Sequence, residues 1–416
     1  MNTRIATSKP FPGRRFGFLA ALGPGLIVML ADTDAGSIVT AAQSGAIWGY
    51  KLLLLQAILV PVLYVVQELT VRLGLVTQCG QGELIKRHFG RRWAWLSIGT
   101  LVIACVGALI TELSGMASVG ALFGVPVWQT MLLAIGTLIA MVWTASYRSV
   151  EWIAVGLGSF ELAFLWIAFA AHPHAAPVID GMVRIPFHDH EYLYLAAANI
   201  GAVIMPWMVF YQQSAVVEKG LNASHLRLAR WETAIGAVAT QLVMAAVLVA
   251  VAATIGRVRP ETPLNTVQEI SDSLIPFMGP EIGRVVFAFG LSGAALVATI
   301  VVSLTAAWGV GEVCGFRRSV ADHPREAPWF YGIFTACLVL GGVLVASGAD
   351  LVKLSVGIEV INALLLPVVL GFLYLLARKA LPEDYRLKGA YAWIVGLVIV
   401  ITSGFGVYAG IRGLLA

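Results

Sequence analysis

The sequence predicts an all-α integral membrane protein with eleven transmembrane helices. Hydrophobic residues make up 59% of the 416 residues, whereas charged residues make up only 12%. Soluble domains contain about 45–50% apolar and about 25% charged residues, so this chain has too little charge to cover a water-exposed surface. The net charge of +4 is also too small and too dispersed to indicate nucleic-acid binding. Soluble enzymes, secreted scaffolds and regulators are thereby excluded.

Eleven apolar runs are long enough to cross the hydrocarbon core of a membrane, which takes about 20 helical residues. They lie near residues 17–48, 51–71, 94–118, 127–146, 149–171, 191–217, 232–256, 283–310, 329–347, 350–377 and 390–411. The sequence therefore predicts a cytoplasmic segment over residues 1–16 and one transmembrane domain over 17–416, surrounded by the lipid bilayer.

The distribution of Lys and Arg predicts the orientation of the chain. If the N-terminus is cytoplasmic and the sides alternate, 20 of the 27 basic residues fall in cytoplasmic segments and seven fall outside. Cytoplasmic loops carry an excess of Lys and Arg, so this split favours a cytoplasmic N-terminus and an outside C-terminus. We expect a multi-pass protein of a bacterial-type inner membrane, without a cleaved signal peptide.

The first apolar run is interrupted by two acids in its middle, Asp32 and Asp34, followed by Gly36. Ionisable residues within a span are costly and usually functional. A helix that unwinds here frees backbone carbonyls, which are tolerated at this depth only where they line a cavity or bind a ligand. Carboxylate and carbonyl oxygens together suit a cation. The alternative is a helix-ending turn that an Asp side chain caps.

The sixth apolar run contains a second break, at Pro206. Proline removes one helical hydrogen bond and clashes with the preceding turn, so the carbonyls of Ala202 and Val203 lose their partners. The thioether of Met205 would add a soft donor at the same level. The alternative is a simple proline kink in which the methionine fills space.

The two breaks fall at corresponding positions of two five-span blocks, at about 17–171 and 191–377, which an extra helix at about 390–411 follows. Because five is odd, the second block must enter the membrane inverted relative to the first. Paired interrupted helices in inverted repeats are typical of the central binding site of a transporter. The prediction is therefore two inverted five-helix repeats plus one helix, with helices 1 and 6 broken at mid-membrane.

Further carboxylates lie inside predicted spans, namely Glu68, Glu112, Glu161 and Glu359, the last with Asn362 nearby. Charged residues at this depth mark an ion pathway or pair with a neighbouring side chain. No spacing typical of a hydrolase or an ATPase is present, so neither an enzymatic activity nor a cofactor is predicted.

The outer loop after the fifth run carries four histidines. They are His172, His174, His188 and His190. They could gather metal ions before entry, but a solvated loop is the simpler interpretation. No histidine lies within a span, which argues against a histidine proton relay.

Several motifs resemble the NRAMP family of divalent-metal transporters. They are Gly23-Pro24-Gly25, Asp34-Ala35-Gly36-Ser37, Gln43-Ser44-Gly45-Ala46, the stretch from Gln67-Glu68-Leu69 to Val76-Thr77, Glu112-Leu113-Ser114-Gly115, and Gly201-Ala202-Val203-Ile204-Met205-Pro206. The resemblance implies a LeuT-type fold, with ten helices in two inverted repeats and an eleventh helix. It also implies that the transported metal is bound by the Asp34 carboxylate, the Ala202 carbonyl and the Met205 thioether.

The sequence departs from the family pattern at five of these positions. Ala35 replaces a proline, and Ser37 replaces a ligand asparagine with a shorter oxygen donor. Trp207 and Gln212 stand where the family has histidines, and Leu109 stands where it has an aspartate. The lost groups are those that the family links to proton movement, so the resemblance implies transport without obligatory proton coupling.

Two acids are added relative to the family pattern, Asp32 and Glu359, the latter in place of a glutamine near the ion. Thioethers favour Mn²⁺ or Fe²⁺, whereas carboxylates and retained water favour Mg²⁺. The presence of Met205 therefore favours Mn²⁺ or Fe²⁺, whereas the added acids and the shorter Ser37 favour Mg²⁺. The pattern is similar to the NRAMP-related magnesium-transporter branch.

We therefore expect an alternating-access importer of divalent cations, with Mg²⁺ and Mn²⁺ favoured and no obligate protein partner. The expected metal-site residues are Asp34, Ser37, Ala202, Met205, Glu359 and Asp32. The expected pathway residues are Glu112, Trp207, Gln212 and Glu68. The alternatives are a proton-coupled Mn²⁺/Fe²⁺ transporter and a LeuT-fold transporter of a small organic solute.

Overall fold

The computed structural model describes residues 24–144, 156, 159–273, 275–320, 322–347 and 351–415. Their α-helices, in chain order, are α1 (Pro24–Asp32), α2 (Ala35–Trp48), α3 (Leu53–Thr77), α4 (Gln81–Phe89), α5 (Arg91–Leu122), α6 (Val127–Thr144), α7 (Ala163–Ala170), α8 (Ala175–Val183), α9 (His190–Val203), α10 (Pro206–Glu218), α11 (Leu226–Val258), α12 (Val267–Asp272), α13 (Ile275–Met278), α14 (Pro280–Cys314), α15 (Pro328–Ala346), α16 (Leu351–Lys379) and α17 (Gly389–Leu414). Two 3₁₀ turns, Ser159–Leu162 and Ala223–His225, precede α7 and α11.

The described helices follow the predicted apolar runs, which confirms an all-α membrane protein. Helices dominate because lipid offers no partner for backbone polar groups, which a helix satisfies internally. Eight helical segments among the described residues are long and apolar enough to cross a membrane. The predicted segment 1–16, the start of the first run and the first part of the fifth lie outside the described residues. The count of eleven therefore stays a prediction.

The second broken helix, α9 with α10, occupies the middle of the bundle. In its most apolar stretch 94% of the residues are buried, against 39% in α15 and in α17. Large apolar side chains such as Leu133, Trp393 and Val400 are exposed on the outer helices. In a bilayer that exposure is a contact with lipid, so the buried centre is where polar groups can be held.

The two broken helices pack against each other in opposite directions. The first half of one contacts the second half of the other: α1 packs on α10, and α2 packs on α9. The packing of α2 on α11 is matched by that of α10 on α3. Two inverted repeats require this arrangement, in which the first half of each broken helix packs on the second half of the other. The same packing brings the two breaks together.

Polar contacts close the bundle at both ends. In α2, the Gln43 amide donates to the Leu264 carbonyl oxygen (2.5 Å) and accepts from its N–H (2.9 Å). At the end of α14, Glu312 accepts from the Gly82 N–H (2.8 Å) and from the Ser214 hydroxyl (2.6 Å). Because α2 and α10 leave their breaks in opposite directions, these closures lie at opposite ends.

One glycine sets how closely the centre of the bundle packs. A Cβ atom on Gly201 would collide with the carbonyl oxygen of Glu359 and lie 2.8 Å from the amide nitrogen of Ala363. Backbone atoms cannot rotate away as a side chain can. The approach of α9 to α16 near the second break therefore depends on a residue without a side chain.

We expect Gly201→Ala to lower the free energy of unfolding by about 1–3 kcal/mol, because the added methyl group overpacks a backbone contact. Thermal unfolding of the detergent-purified protein measures this effect. Gly371→Ala, in α16, is the matched control, since nothing lies within 4 Å of a Cβ there. The control should unfold at the wild-type temperature or slightly above, because alanine favours a helix. Equal behaviour of the two variants would contradict the close packing.

Candidate metal site

The first break lies between α1 and α2, where Thr33 and Asp34 are not helical. Asp34 is the N-cap of α2, and its Oδ1 accepts from the Ser37 N–H at 2.7 Å. Its Oδ2 is buried, and no N–H or hydroxyl group of the described residues donates to it. The structure thus combines both interpretations of the sequence, because Asp34 caps a helix and also stands at an interruption. One oxygen is used for capping, and the other is available to a ligand.

The second break lies between α9 and α10, at Ile204 and Met205. Pro206 has no N–H to offer the Ala202 carbonyl one turn earlier. That carbonyl instead accepts from the Ser37 hydroxyl at 3.1 Å. Ser37 thus joins the two breaks, since its backbone N–H binds Asp34 and its side chain binds Ala202. The carbonyl and the hydroxyl oxygens each keep a lone pair that could bind a cation.

Met205 and Trp207 lie side by side at the second break. Met205 is the N-cap of α10, and its side chain is fully buried. The indole N–H of Trp207 donates to the Met205 sulfur, with an Nε1–Sδ distance of 3.1 Å. The predicted thioether ligand therefore already has one hydrogen-bond partner.

Two buried glutamates flank the first break from other helices. In α5, Glu112 Oε2 accepts from the Ala35 N–H at 3.1 Å, and its carboxyl group lies within interaction distance of Asp34. In α16, Glu359 Oε2 accepts from the Asn362 amide at 2.9 Å, and its Oε1 has no partner. A Cβ on Gly36 would lie 2.5 Å from that Oε1. Glu359 therefore reaches the first turn of α2, next to Asp34.

Asp32 adds a fourth carboxyl group, at the end of α1. Its Oδ2 accepts from the Gln67 amide at 3.1 Å, and its Oδ1 is buried without a partner. The same Gln67 nitrogen lies 3.2 Å from the Met208 sulfur. This part of the break thus combines one free carboxylate oxygen with a polar contact to α3 and α10.

The four carboxyl groups are fully buried and lack a cationic partner in the part of the chain that the structure describes. They belong to Asp32, Asp34, Glu112 and Glu359. None forms a salt bridge with a described Lys, Arg or His. Buried charges are normally paired or bound to a metal, because their desolvation is costly. The arrangement therefore suits a cation that supplies the missing positive charge.

The described residues also limit what kind of coordination is possible. Among them, no three His, Cys, Asp or Glu side chains converge as a metal-binding group. A cation at the breaks would thus need backbone carbonyl, hydroxyl, thioether or water ligands beside a carboxylate. Asp34, Ser37, Ala202 and Met205 offer these donor types.

Other predicted residues have different surroundings. Glu68 accepts from Arg72 at 2.6 Å and from Arg230 at 2.7 Å, so its charge is compensated, and its pathway role stays a prediction. Gln212 is fully buried, and both of its polar side-chain atoms lack partners. Of the four loop histidines, 172, 174 and 188 are exposed, while His190 contacts the Arg412 carbonyl oxygen at 2.8 Å.

Three buried polar residues were not among the predicted site residues. Gln67 and Thr111, which donates to Glu112 at 3.2 Å, lie near the first break, and Glu312 lies at one end of the bundle. Gln67 and Thr111 each precede a glutamate that was predicted, so a polar neighbour within a span was the available signal. Glu312 was missed because it lies at a helix end near Arg317 and Arg318, where a surface pair is the usual interpretation.

The sequence matches the family described as Nramp, natural resistance-associated macrophage protein-like, over residues 25–412. The divalent metal cation transporter MntH of Klebsiella pneumoniae (strain 342) is 24% identical over 431 aligned positions, which cover 99% of both chains. The transporter of the same name from Chromohalobacter salexigens is 29% identical over 307 positions, which cover 70% of each chain.

Solved structures share the fold of this chain. The manganese transporter of Eremococcus coleocola, in complex with an aromatic bis-isothiourea substituted compound, has a TM-score of 0.73 and 18% identity, covering 98% of this chain and 90% of that one. MhsT in complex with L-phenylalanine has a TM-score of 0.56 and 16% identity, covering 98% and 99%. These likenesses confirm the predicted LeuT-type fold.

We expect Glu359→Gln to leave the metal-free protein at least as stable as wild type, because it removes an uncompensated charge and keeps the polar group. It should also reduce the stabilisation that Mg²⁺ or Mn²⁺ produces by about 1.4 kcal/mol, the value of a tenfold loss of affinity. Thermal unfolding with chelator and with added metal measures both effects.

Glu68→Gln is the matched control for this substitution. It leaves two arginines without their carboxylate, so it should destabilise the protein by about 3 kcal/mol with or without metal. If Glu359→Gln destabilises the metal-free protein as much as the control does, the carboxyl group of Glu359 has a compensating partner and the candidate site is wrong.

Proposed function

The chain belongs to the Nramp family, and from that membership we propose that it carries divalent metal cations across a membrane by alternating access. The observation that carries the proposal is the junction of the two breaks through Ser37. The unpartnered Asp34 oxygen and the Ala202 carbonyl lie at its two ends. Relatives named as divalent metal cation transporters support the same choice of substrate.

Asp34 is the essential ligand in this proposal. Its free oxygen would bind the ion directly, together with the Ala202 carbonyl and the hydroxyl of Ser37 or a water molecule. Met205 lies at the edge of the site, where the family resemblance implies a thioether ligand, and its sulfur accepts a hydrogen bond from the Trp207 indole. Glu359 and Asp32 add negative charge around the ion without being required to bind it.

The proposed ions are Mg²⁺ and Mn²⁺. Hard oxygen donors dominate the breaks, and Mg²⁺ is bound through a few carboxylates while it keeps several of its waters. Ser37 is short enough to leave room for such a water. A thioether raises the affinity for Mn²⁺ relative to Mg²⁺, so its presence supports a broad divalent site.

The proposed transport runs inward without obligatory proton coupling. Trp207, Gln212 and Leu109 replace the side chains that the family links to proton movement, and none of the three titrates. Moving a doubly charged ion through 100 mV provides about 4.6 kcal/mol, which is enough to drive net uptake. The positive-inside distribution of Lys and Arg supports an inner-membrane protein with a cytoplasmic N-terminus.

We expect Asp34→Asn to reduce Mg²⁺ and Mn²⁺ uptake into proteoliposomes by about 100-fold, which corresponds to about 2.7 kcal/mol of binding. Asparagine still caps a helix, so the first turn of α2 should persist while the charged ligand is lost. Asp180→Asn is the control, because Asp180 is exposed and forms a surface ion pair with Arg184, four residues later, at 2.8 Å. Undiminished uptake by the Asp34 variant would overturn the proposed function.

We expect metal uptake to leave the internal pH of the liposomes unchanged. A pH-sensitive dye enclosed together with a metal indicator measures both quantities in one experiment, with a membrane potential applied by a potassium gradient. If acidification follows metal entry in a fixed proportion, the protein is proton-coupled and the alternative of a Mn²⁺/Fe²⁺ transporter gains support.

A further inference from the structure

We propose that Trp207 shifts the selectivity of the metal site towards hard ions by holding the sulfur of Met205 in an indole hydrogen bond. The inference rests on the proposed function and assigns a selectivity role to a residue that is not itself a ligand. It explains how a site can keep a thioether and still favour Mg²⁺.

The geometry fixes the two side chains against each other. Met205 is the N-cap of α10 and Trp207 is its second residue, with Pro206 between them. Proline restricts its own φ to about −65°, so the backbone that joins the two side chains has little freedom. Both side chains are fully buried, and the Nε1–Sδ distance is 3.1 Å.

The hydrogen bond changes what the sulfur can offer a metal. A thioether is a weak acceptor, and a donor N–H places partial positive charge beside it. A cation that binds the sulfur must approach that charge or displace the indole. Displacing the indole leaves a buried N–H without a partner, which is unfavourable. Mg²⁺ does not use sulfur, so the hydrogen bond penalises only softer ions.

A second methionine near the breaks is engaged in the same way. The Met208 sulfur lies 3.2 Å from the amide nitrogen of Gln67, which also contacts Asp32. Both sulfurs of the first turn of α10 therefore accept from N–H groups. What remains for a cation between the breaks is the set of oxygens on Asp34, Ser37 and Ala202.

The test is Trp207→Phe, which removes the N–H and keeps an aromatic ring. Proteoliposomes are supplied with Cd²⁺ as a soft ion and Mg²⁺ as a hard ion, and the ratio of their uptake rates is measured. We expect the Cd²⁺:Mg²⁺ ratio to rise about fivefold, the factor that the loss of one ordinary hydrogen bond produces. Trp308→Phe, at a buried tryptophan that packs on Tyr211, is the control and should leave the ratio unchanged.

Repeating the substitution in a Met205→Leu background separates the hydrogen bond from a packing effect. Without the sulfur, Trp207→Phe should no longer change the ratio, because coupled residues lose their interaction energy together. An unchanged ratio in the single variant, or an equal rise in both backgrounds, would overturn the inference.

A measurement on the wild-type protein makes the inference testable even if the variants do not fold. X-ray absorption at the cadmium edge of the Cd²⁺-loaded, purified protein should show oxygen neighbours only, and a cadmium–sulfur distance would overturn the inference.

Asp34→Asn distinguishes a failure of this inference from a failure of the proposed function. If Asp34→Asn transports metal normally, the proposed function is wrong. If Asp34→Asn is inactive but Trp207→Phe leaves the Cd²⁺:Mg²⁺ ratio unchanged, only the role of Trp207 is rejected.

Discussion

Uncompensated negative charge at the first helix break is the constraint on which the rest of the structure depends. Asp34 and the three buried carboxyl groups near it, those of Asp32, Glu112 and Glu359, have no described basic side chain paired with them. In hydrocarbon such a group is tolerated only if it binds a proton or a cation. The helix break makes the second solution possible, because it supplies carbonyl and hydroxyl oxygens at the same depth. The two helix breaks and the buried acids therefore belong together, because both are needed to accommodate a cation at this depth.

The sequence was sufficient to locate the breaks, because proline and paired acids within apolar runs have direct local consequences. The proposed roles of Asp34 and Ala202 rest on their positions relative to these interruptions and on the family resemblance. The contacts between helices could not be predicted in the same way. The hydrogen bond from the Ala35 N–H to Glu112 spans 77 residues, and the bond from Ser37 to Ala202 spans 165. Such pairs depend on how whole helices pack, which local pattern does not encode.

For Glu68, the sequence contained a local signal of ion pairing, but its depth within a predicted span led to the expectation of a pathway role. An arginine follows it by one helical turn, at the spacing at which oppositely charged side chains pair. The structure contains that pair and adds Arg230 from α11. Glu359 has no arginine at such a spacing, and the structure leaves one of its oxygens without a partner. The number of nearby basic residues in the sequence thus distinguishes a compensated carboxylate from an uncompensated one better than depth alone.

The contact at Gly201 has a consequence for the proposed alternating access. The backbone of α9 touches the backbone of α16 at Glu359, with no side chain between them that could change rotamer. We expect two helices in such close contact to move together in the proposed transport cycle. A rotation that carries the Ala202 carbonyl away from the first break must then carry the Glu359 carboxylate with it. Coordination by the Ala202 carbonyl and attraction by the Glu359 carboxylate would then weaken in the same step. The ion would be released instead of staying bound to a partly opened site.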